Sequence, residues 1–252
     1  HRGAPLELEE HDVPDLDAGL RALAAEKADL DARPPLRARL LTAPDGAQAL
    51  LLAMHHIGAD EWSLVPLFRD FTIAYQARRR GDEPQWSPLP ATYTDYTLWA
   101  RERAAEAEER QLAYWREALD GLPRRIPLPY DREPSPDHRP RGDHLEFTLD
   151  PDLHEAVDAL AARTRTSAFM VLHAAFAMLL TRHGAGTDLP IASPVAGRDD
   201  EALTDLVGCF SDIVLLRTDT GGDPDLAELL ARVRDADLAA FERRDVPFAR
   251  VA

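Results

Sequence analysis

With 252 residues, 45% of them hydrophobic, the chain can bury one large core or two smaller ones. Its 45 acidic residues outnumber 29 basic ones and give a formal charge of −16, which argues against nucleic acid or an anionic membrane as a partner. The single cysteine, Cys209, cannot form an internal disulfide. No signal peptide or apolar run of transmembrane length is visible, so the sequence predicts a cytoplasmic location.

The first half of the chain contains one predicted strand and two predicted helices. The apolar run of residues 47–54 predicts a buried strand. Ser63 follows as the predicted N-cap of an amphipathic helix, and Gly81 ends that helix. A second helical pattern, rich in Ala, Glu and Arg, runs from about Tyr93 to Leu119. Its predicted packing anchors are Trp99 and Trp115.

A proline-rich segment divides the chain. Residues 123–142 contain six prolines with Arg and Asp between them, and such a segment cannot sustain a helix or an interior strand. We therefore predict a linker at 123–142, between part of an N-terminal lobe at 1–122 and part of a C-terminal lobe at 143–252. Each side has a similar mixture of strands and long helices, as two related lobes would have.

The second half alternates strands and helices. Residues 144–149 alternate apolar and polar side chains, which predicts a strand with one face in water. The later predicted elements are a helix from Pro151 to about Arg163, an apolar helix capped by Ser167 or Thr166 and closed by Gly184, strands at 191–195 and 213–216, and a helix over Leu226–Phe241.

Two histidines and an aspartate follow the first predicted strand directly. His55, His56 and Asp60 occupy the junction between that strand and the next helix, a place where folds commonly present chemistry. Amide formation from a thioester needs a neutral amine, and a free α-amino group with a pKa of about 8 is already about a tenth neutral at pH 7. An imidazole can accept or steady the amine proton, so this segment is a candidate acyl-transfer centre.

Other chemistries have less support from the residues. Histidine and aspartate are common metal ligands, but the chain has no HExxH or CxxC spacing, and we expect no metal. Cys209 precedes a predicted strand, where a buried thiol is commoner than a nucleophile. Ser63 lacks the GxSxG context of an acyl-accepting serine. A purely structural role for either histidine stays open, since most such residues complete a local hydrogen-bond network.

Four segments resemble the motifs of condensation domains from nonribosomal peptide synthetases. Residues His55–Glu61 resemble the HHxxxDG signature, and Tyr93–Trp99 resemble the YxD(F/Y)xxW stretch. Val207–Arg217 are similar to VGxFVNTLxLR, and Arg244–Phe248 to QDxPFE. Because the four follow one another in the family's order across most of the chain, chance is a poor explanation.

The chain also departs from the family pattern. Glu61 replaces the glycine of the signature, and Asp212 replaces the usual asparagine, which removes an amide donor. No segment resembles the two N-terminal motifs SxAQxRLW and RHExLRTxF, or the final RNP-type motif. We therefore expect the chain to start and stop inside a longer domain.

The resemblance implies an α/β (α+β) fold of two chloramphenicol-acetyltransferase-like lobes that form a V with a central tunnel. It implies peptide bond formation between thioesters delivered by an upstream donor and a downstream acceptor peptidyl carrier protein, beside an adenylation domain. The phosphopantetheine arms belong to the carriers, so no cofactor is bound by the domain itself. An acidic carrier is one interpretation of Arg78–Arg80, and a solvated helix end is the commoner one.

The resemblance also suggests a role for each site residue. His56, the second motif histidine, is the candidate catalytic group, either as a general base or as a positioning acceptor. His55 and Asp60 are supporting residues, and Arg198 is a candidate structural partner for Asp60. The candidate substrate-binding residues are Glu61, Trp62, Ser63 and Asp212.

Related functions share this architecture. Epimerisation domains usually carry a tryptophan after the motif serine, whereas Trp62 precedes Ser63 here. Heterocyclisation domains replace the first histidine, which this chain keeps as His55. Non-catalytic recruitment modules typically lose the second histidine, and this chain keeps His56. Condensation is therefore the favoured function, with recruitment or epimerisation as the alternatives and a free-standing acyltransferase acting on coenzyme A thioesters as a more distant one.

Overall fold

The elements of this mixed α/β chain belong to two compact units, each built from separate stretches of sequence. The computed structural model describes residues 6–31, 34–123, 125–131 and 145–251. The first unit takes its residues from His1–Trp99 and Ala196–Ser211, and the second from Ala100–Val195 and Asp212–Ala252. The loop 196–211 therefore leaves the second unit, joins the first and returns.

A three-stranded sheet organises the first unit. Strand β1 (Leu8–Asp12) runs parallel to β2 (Leu36–Thr42), which pairs antiparallel with β3 (Gln48–Met54). Helix α1 (Leu16–Ala24) supplies the crossover that a parallel pair requires. Asp15 caps this helix, because its carboxylate accepts a 2.7 Å hydrogen bond from the backbone of Ala18.

A buried arginine ties the central strand to its surroundings. Arg39 Nε donates to Glu9 on β1 over 2.7 Å, and its Nη2 donates to Glu26 over 2.5 Å. Its Nη1 also donates to the carbonyl of Leu23 near the end of α1. Pairing makes the burial of this guanidinium tolerable, and it fixes the sheet from which β3 delivers the histidines.

Two helices follow β3. Helix α2 spans Leu64–Arg79, and Gly81 after it adopts the positive φ of +82° expected at a helix end. Helix α3 spans Tyr93–Ala118, as the sequence predicts. Of its two predicted anchors, Trp115 is 5% exposed and donates to the carbonyl of Arg243, whereas Trp99 is 45% exposed. The prediction that Trp99 anchors the packing is therefore wrong.

The second unit contains an antiparallel strand pair and several helices. Strand β4 (Asp188–Val195) pairs along its length with β5 (Asp212–Asp219). After residue 150 its helices are α4 (Pro151–Thr164), α5 (Ala168–Arg182), α6 (Leu226–Phe241) and α7 (Phe248–Val251). The first three lie at the predicted positions, and α7 was not predicted. Ser167 caps α5 by accepting a hydrogen bond from Met170, which decides between the two predicted caps.

One core cluster of the second unit lies where α4, α5 and α6 pack. Ala161, Val171, Leu230 and Val233 are among the buried residues of that cluster. No single helix in the described ranges is long and apolar enough to cross a membrane, and α4 with α5 passes that test only as a pair bent by 102°.

The strand predicted at 144–149 is wrong for the part that the structure describes. Residues 145–149 form no strand, and the side chains of Leu145 and Phe147 are 87% and 79% exposed. Alternation alone cannot make a strand, because the backbone groups need a partner ladder. Residues 124 and 132–144 lie outside the described part, so the linker at 123–142 and the lobe boundaries stay predictions.

Candidate functional site

The site is built on the loop between β3 and α2. Strand β3 ends at Met54, His55 and His56 follow in a turn, and Glu61–Ser63 form one turn of 3-10 helix before α2. Asp60 caps that turn, because its side chain accepts a 2.9 Å hydrogen bond from the backbone N–H of Ser63. The chain therefore changes direction in a fixed conformation immediately after the histidines.

The carboxylate of Asp60 joins this loop to the distant loop 196–211 within the first unit. Arg198 Nη2 donates to Asp60 Oδ1 over 2.8 Å, and the backbone N–H of Phe210 donates to Asp60 Oδ2 over 2.9 Å. The backbone of Asp60 donates in turn to the carbonyl of Gly208. Each oxygen of this buried carboxylate thus has a partner, as a buried charge requires.

Arg198 extends the same network. Its Nη1 donates to the carbonyls of Leu203 and Leu206 over 2.6 and 2.9 Å, and its guanidinium carbon lies 4.0 Å from the centre of the Phe210 ring. These contacts hold the 3-10 turn Glu201–Leu203 and the end of the loop around one cation. The sequence named Arg198 as a candidate partner of Asp60, and the two side chains form an ion pair.

The pKa of Asp60 reflects this environment. Burial acts to raise it, but hydrogen bonds from Arg198, from the backbone of Phe210 and from Ser63 outweigh burial, so the pKa lies below the ordinary value of an aspartate. The carboxylate is therefore ionised at neutral pH, and its hydrogen bonds hold the two loops together. This arrangement matches a supporting role better than proton transfer.

Ser63 belongs to the same buried network. Its Oγ lies 2.8 Å from both Asp60 Oδ1 and the carbonyl of Gly208, and it accepts hydrogen bonds from Arg198 and from the backbone of Gly208. Ser63 is the N-cap residue of α2, as predicted, but its side chain makes no capping bond to that helix. Fully buried and surrounded by these partners, the hydroxyl acts as a structural group in place of the predicted substrate contact.

Two glycines permit the close approach of the loops. Gly197 has φ +64°, and a Cβ there would lie 2.0 Å from the carbonyl oxygen of Phe210. A Cβ on Gly208 would lie 2.3 Å from the ring of Tyr93, whose hydroxyl donates to the carbonyl of Cys209 over 2.7 Å. Tyr93 and Gly208 come from the motif stretches, but their contact was not predicted.

The two histidines occupy different surroundings. His55 Nδ1 accepts a 3.1 Å hydrogen bond from the backbone of Ile57, and the backbone N–H of His55 donates to the carbonyl of Pro35. His55 also lines a cavity of about 180 Å³ together with Arg37. These bonds give His55 the character of a supporting residue for the turn.

His56 is exposed, and one of its ring nitrogens has a partner. Nδ1 lies 3.6 Å from Sγ of Cys209. Among the residues that the structure describes, none forms a hydrogen bond with Nε2 of His56, so this nitrogen is open to an incoming group. An exposed imidazole on an anchored turn can accept a proton from a bound amine.

The remaining candidate residues are distributed as follows. Glu61 is exposed and Trp62 is 44% exposed, both on the 3-10 turn next to Asp60. Asp212 begins β5 in the second unit, where its carboxylate accepts a hydrogen bond from the backbone of Ile213. Within the described ranges, no group of three or more His, Cys, Asp or Glu residues is placed to hold a metal ion.

Sequence reasoning missed the part that Phe210 and Cys209 take in the site. Phe210 supplies a backbone donor to Asp60 and a ring face to Arg198, and Cys209 contacts His56. Both lie in the VGxF-like stretch, for which the sequence indicates a family resemblance but no structural role. The structural role of this stretch follows from its contact with Asp60, because a buried carboxylate needs several hydrogen-bond donors.

Comparisons with known proteins identify the family of the chain. The family model described as "Condensation domain" matches residues 6–252. The "Dimodular nonribosomal peptide synthase" of Bacillus subtilis is 47% identical over 231 residues, which are 88% of this chain and 10% of that protein. The "Probable non-canonical nonribosomal peptide synthetase (NRPS) CymA" of Salinispora arenicola is 46% identical over 253 residues, or 97% of this chain and 3% of that protein.

A solved structure gives the same result for the fold. The X-domain in the complex of the X-domain and OxyB from teicoplanin biosynthesis has a TM-score of 0.87 and 32% identity, covering all of this chain and 57% of that one. The chain thus spans a little over half of that structure and a tenth or less of the two synthetases. By this match along nearly its whole length, the chain belongs to the condensation-domain family of nonribosomal peptide synthetases.

Proposed function

We propose that this chain carries the catalytic centre of an amide-forming condensation domain. The domain transfers an acyl or peptidyl group from a donor carrier thioester to the amine of an aminoacyl thioester on an acceptor carrier. The observation that carries this proposal is the exposed His56, held on a turn that the buried Asp60–Arg198 pair anchors. Metal or nucleotide chemistry has no part in the proposal, since the thioester is already activated.

The reaction does not require a strong base. The attacking amine is partly neutral at pH 7, so the site gains most from alignment, which contributes about 7–11 kcal/mol in well-oriented reactions. His56 Nε2 accepts or steadies the proton that the amine loses on attack, a contribution of about 10²- to 10⁴-fold. The Asp60–Arg198 network supports this role because it fixes the backbone that carries the imidazole.

The complete domain would place this centre in its tunnel. In our proposal, donor and acceptor carriers reach His56 on phosphopantetheine arms, and an adenylation domain loads the acceptor. The two-lobed V belongs to this proposal for the full-length domain. Relatives such as the Bacillus subtilis protein are multidomain synthetases, and this supports the proposed partners.

The test is single-turnover peptide transfer between a loaded donor carrier and a loaded acceptor carrier, followed by intact-protein mass spectrometry. It uses the complete protein that carries this chain, together with His56→Ala and the matched control His154→Ala, an exposed histidine on α4. We expect dipeptide growth on the acceptor to fall by at least about 100-fold in His56→Ala and to be unchanged in His154→Ala. Equal rates in all three proteins would contradict the proposal.

A recruitment module is the second candidate. It is favoured by the likeness to the X-domain, which was solved in complex with OxyB. In that case the carriers or a partner enzyme bind, but no transfer occurs with wild type or variant. Epimerisation is a third outcome of the same assay, recognised by inversion of the loaded donor residue without chain growth.

A further inference from the structure

The Cys209 thiol is the immediate neighbour of the His56 ring. Sγ lies 3.6 Å from His56 Nδ1 and 3.9 Å from Ser211 Oγ, so it stands between an imidazole and a hydroxyl. The backbone around it is fixed on both sides, because the carbonyl of Gly208 accepts a hydrogen bond from the backbone of Asp60 on one side. On the other side, Tyr93 donates to the carbonyl of Cys209 and the backbone of Phe210 donates to Asp60. The thiol therefore occupies a defined position beside the candidate catalytic histidine.

A thiol has one hydrogen to give, and its direction decides what the histidine can do. If S–H points to His56 Nδ1, the neutral ring carries its proton on Nε2, which then acts as a donor. If S–H points to Ser211 Oγ, a sulfur lone pair accepts from Nδ1–H, and Nε2 becomes the acceptor. The two arrangements give opposite chemistry at the nitrogen that is open to an incoming group.

We propose that Cys209 is a positioning residue that holds His56 in the Nδ1–H tautomer through a relay from His56 Nδ1–H to Cys209 Sγ–H to Ser211 Oγ. The inference rests on the proposed function, because only this tautomer leaves Nε2 free to accept the amine proton. It adds a residue to the centre: the thiol does not touch the substrate but sets which ring nitrogen is basic. Each hydrogen in the relay has one donor and one acceptor, so the relay is complete within three side chains.

The weakness of the sulfur contact suits this role. Sulfur is a poor donor and a poor acceptor, so it fixes the tautomer without holding the ring as strongly as a carboxylate would. When the imidazole gains the proton at Nε2, the existing Nδ1–H···S contact remains, and no rearrangement is needed. Asp60 cannot perform this task, since both of its oxygens are occupied by the loop network.

Nuclear magnetic resonance tests the tautomer directly and needs no activity. Protein labelled with ¹⁵N-histidine is measured by long-range ¹H–¹⁵N correlation in alkaline buffer, and the His56 signals are assigned by their loss in His56→Ala. We expect wild type to show Nδ1 protonated and Nε2 unprotonated. In Cys209→Ala the population shifts toward the Nε2–H tautomer, and in Ser211→Ala it shifts in the same direction by less.

Two results would overturn the inference. One is a wild-type His56 that is mainly the Nε2–H tautomer, and the other is an unchanged tautomer population in Cys209→Ala. Circular dichroism of the variants shows whether they are folded, and Cys209→Ser serves as a second variant that keeps one donor and one acceptor at the same carbon. Cys209→Ser retains the wild-type tautomer if the relay is correct.

The transfer assay supplies a separate readout. Cys209→Ala lowers kcat about fivefold, the effect of losing one net hydrogen bond, without changing KM for either carrier, and Cys209→Ser recovers part of the loss. An unchanged kcat in Cys209→Ala contradicts the positioning role. If no protein transfers the acyl group but the tautomer still depends on Cys209, the proposed function fails while the relay stands.

Discussion

Asp60 Oδ1 accepts a 2.8 Å hydrogen bond from Arg198 Nη2 across 138 residues of sequence. Both side chains are almost completely buried, and both belong to the first unit. Asp60 lies four residues after His56, so this pair fixes the backbone of the candidate centre. The motif aspartate thus has a physical function that requires no contact with substrate.

Removing either member of this pair is expected to destabilise the chain strongly. Asp60→Ala leaves the guanidinium of Arg198 buried without its carboxylate, and we expect the free energy of unfolding to fall by about 3–5 kcal/mol. Arg198→Ala gives a loss of similar size. Urea unfolding of each variant measures this change.

The double variant Asp60→Ala/Arg198→Ala is the control, because it removes both charges together. Its loss is smaller than the sum of the two single losses if the side chains interact as the structure shows. Additive losses would mean that the pair does not couple.

The depressed pKa of Asp60 predicts a pH dependence. The folded state binds the proton less tightly than the unfolded state, so the contribution of Asp60 is complete above its unfolded pKa of about 3.9 and declines as the pH falls through the lower folded value. The amide of the Asp60→Asn variant cannot titrate. The difference in unfolding free energy between wild type and Asp60→Asn therefore stays constant from pH 8 to about pH 5 and narrows below about pH 4. A difference independent of pH down to pH 2 would contradict this assignment.

Gly197→Ala is expected to separate the two loops. The substitution adds a Cβ at φ +64°, 2.0 Å from the carbonyl oxygen of Phe210, so both the conformation and the contact oppose it. We expect a loss of stability of about 2–3 kcal/mol. Gly46→Ala is the matched control, because Gly46 has φ +83° with no atom near the added Cβ, and it costs only about 1 kcal/mol. Equal losses in the two variants would show that the loops do not approach so closely.

Glu61 stands where the family signature has glycine, which gives a prediction about the acceptor. If its exposed carboxylate steadies the acceptor amine, Glu61→Gly raises KM for the acceptor carrier about two- to fivefold, as for an exposed ion pair, and leaves kcat unchanged. Glu61→Asp keeps the charge and retains most of the affinity. The steady-state transfer assay decides, and an unchanged acceptor KM in Glu61→Gly would remove Glu61 from the substrate site.

A buried polar cluster in the second unit is expected to stabilise the fold independently of the candidate centre. His173 Nδ1 lies 3.1 Å from Asp237 Oδ2, and His173 Nε2 lies 2.9 Å from Thr218 Oγ1. Asp237→Ala leaves the imidazole without its partner, and we expect a loss of about 3 kcal/mol in urea unfolding. Replacing both residues, as His173→Phe with Asp237→Leu, costs less than Asp237→Ala alone, because neither the imidazole nor the carboxylate is left buried without the other and only the Thr218 hydroxyl loses a partner.

Local sequence signals were enough for most of the regular elements that they predicted. Pro151 begins α4 and Ser167 caps α5 through interactions within a few residues. The apolar run before His55 forms β3, which pairs with the preceding strand β2. The same kind of signal failed at Leu145 and Phe147, where alternation lacks a partner strand among the described residues. Strand β2 was not predicted, since a buried arginine interrupts its apolar pattern until Glu9 and Glu26 are brought alongside.

The sequence by itself determined the family, the mixed α/β class and the segment that carries His55, His56 and Asp60, because short motifs and caps are encoded locally. Only the tertiary structure decided what surrounds them. Ser63 became a buried network residue, and Cys209 came beside His56 across 153 positions. The physical reason is that a buried carboxylate and a buried guanidinium are stable only when they are paired and hydrogen-bonded. Their pairing joins two loops that are distant in sequence, and no local pattern predicts that contact.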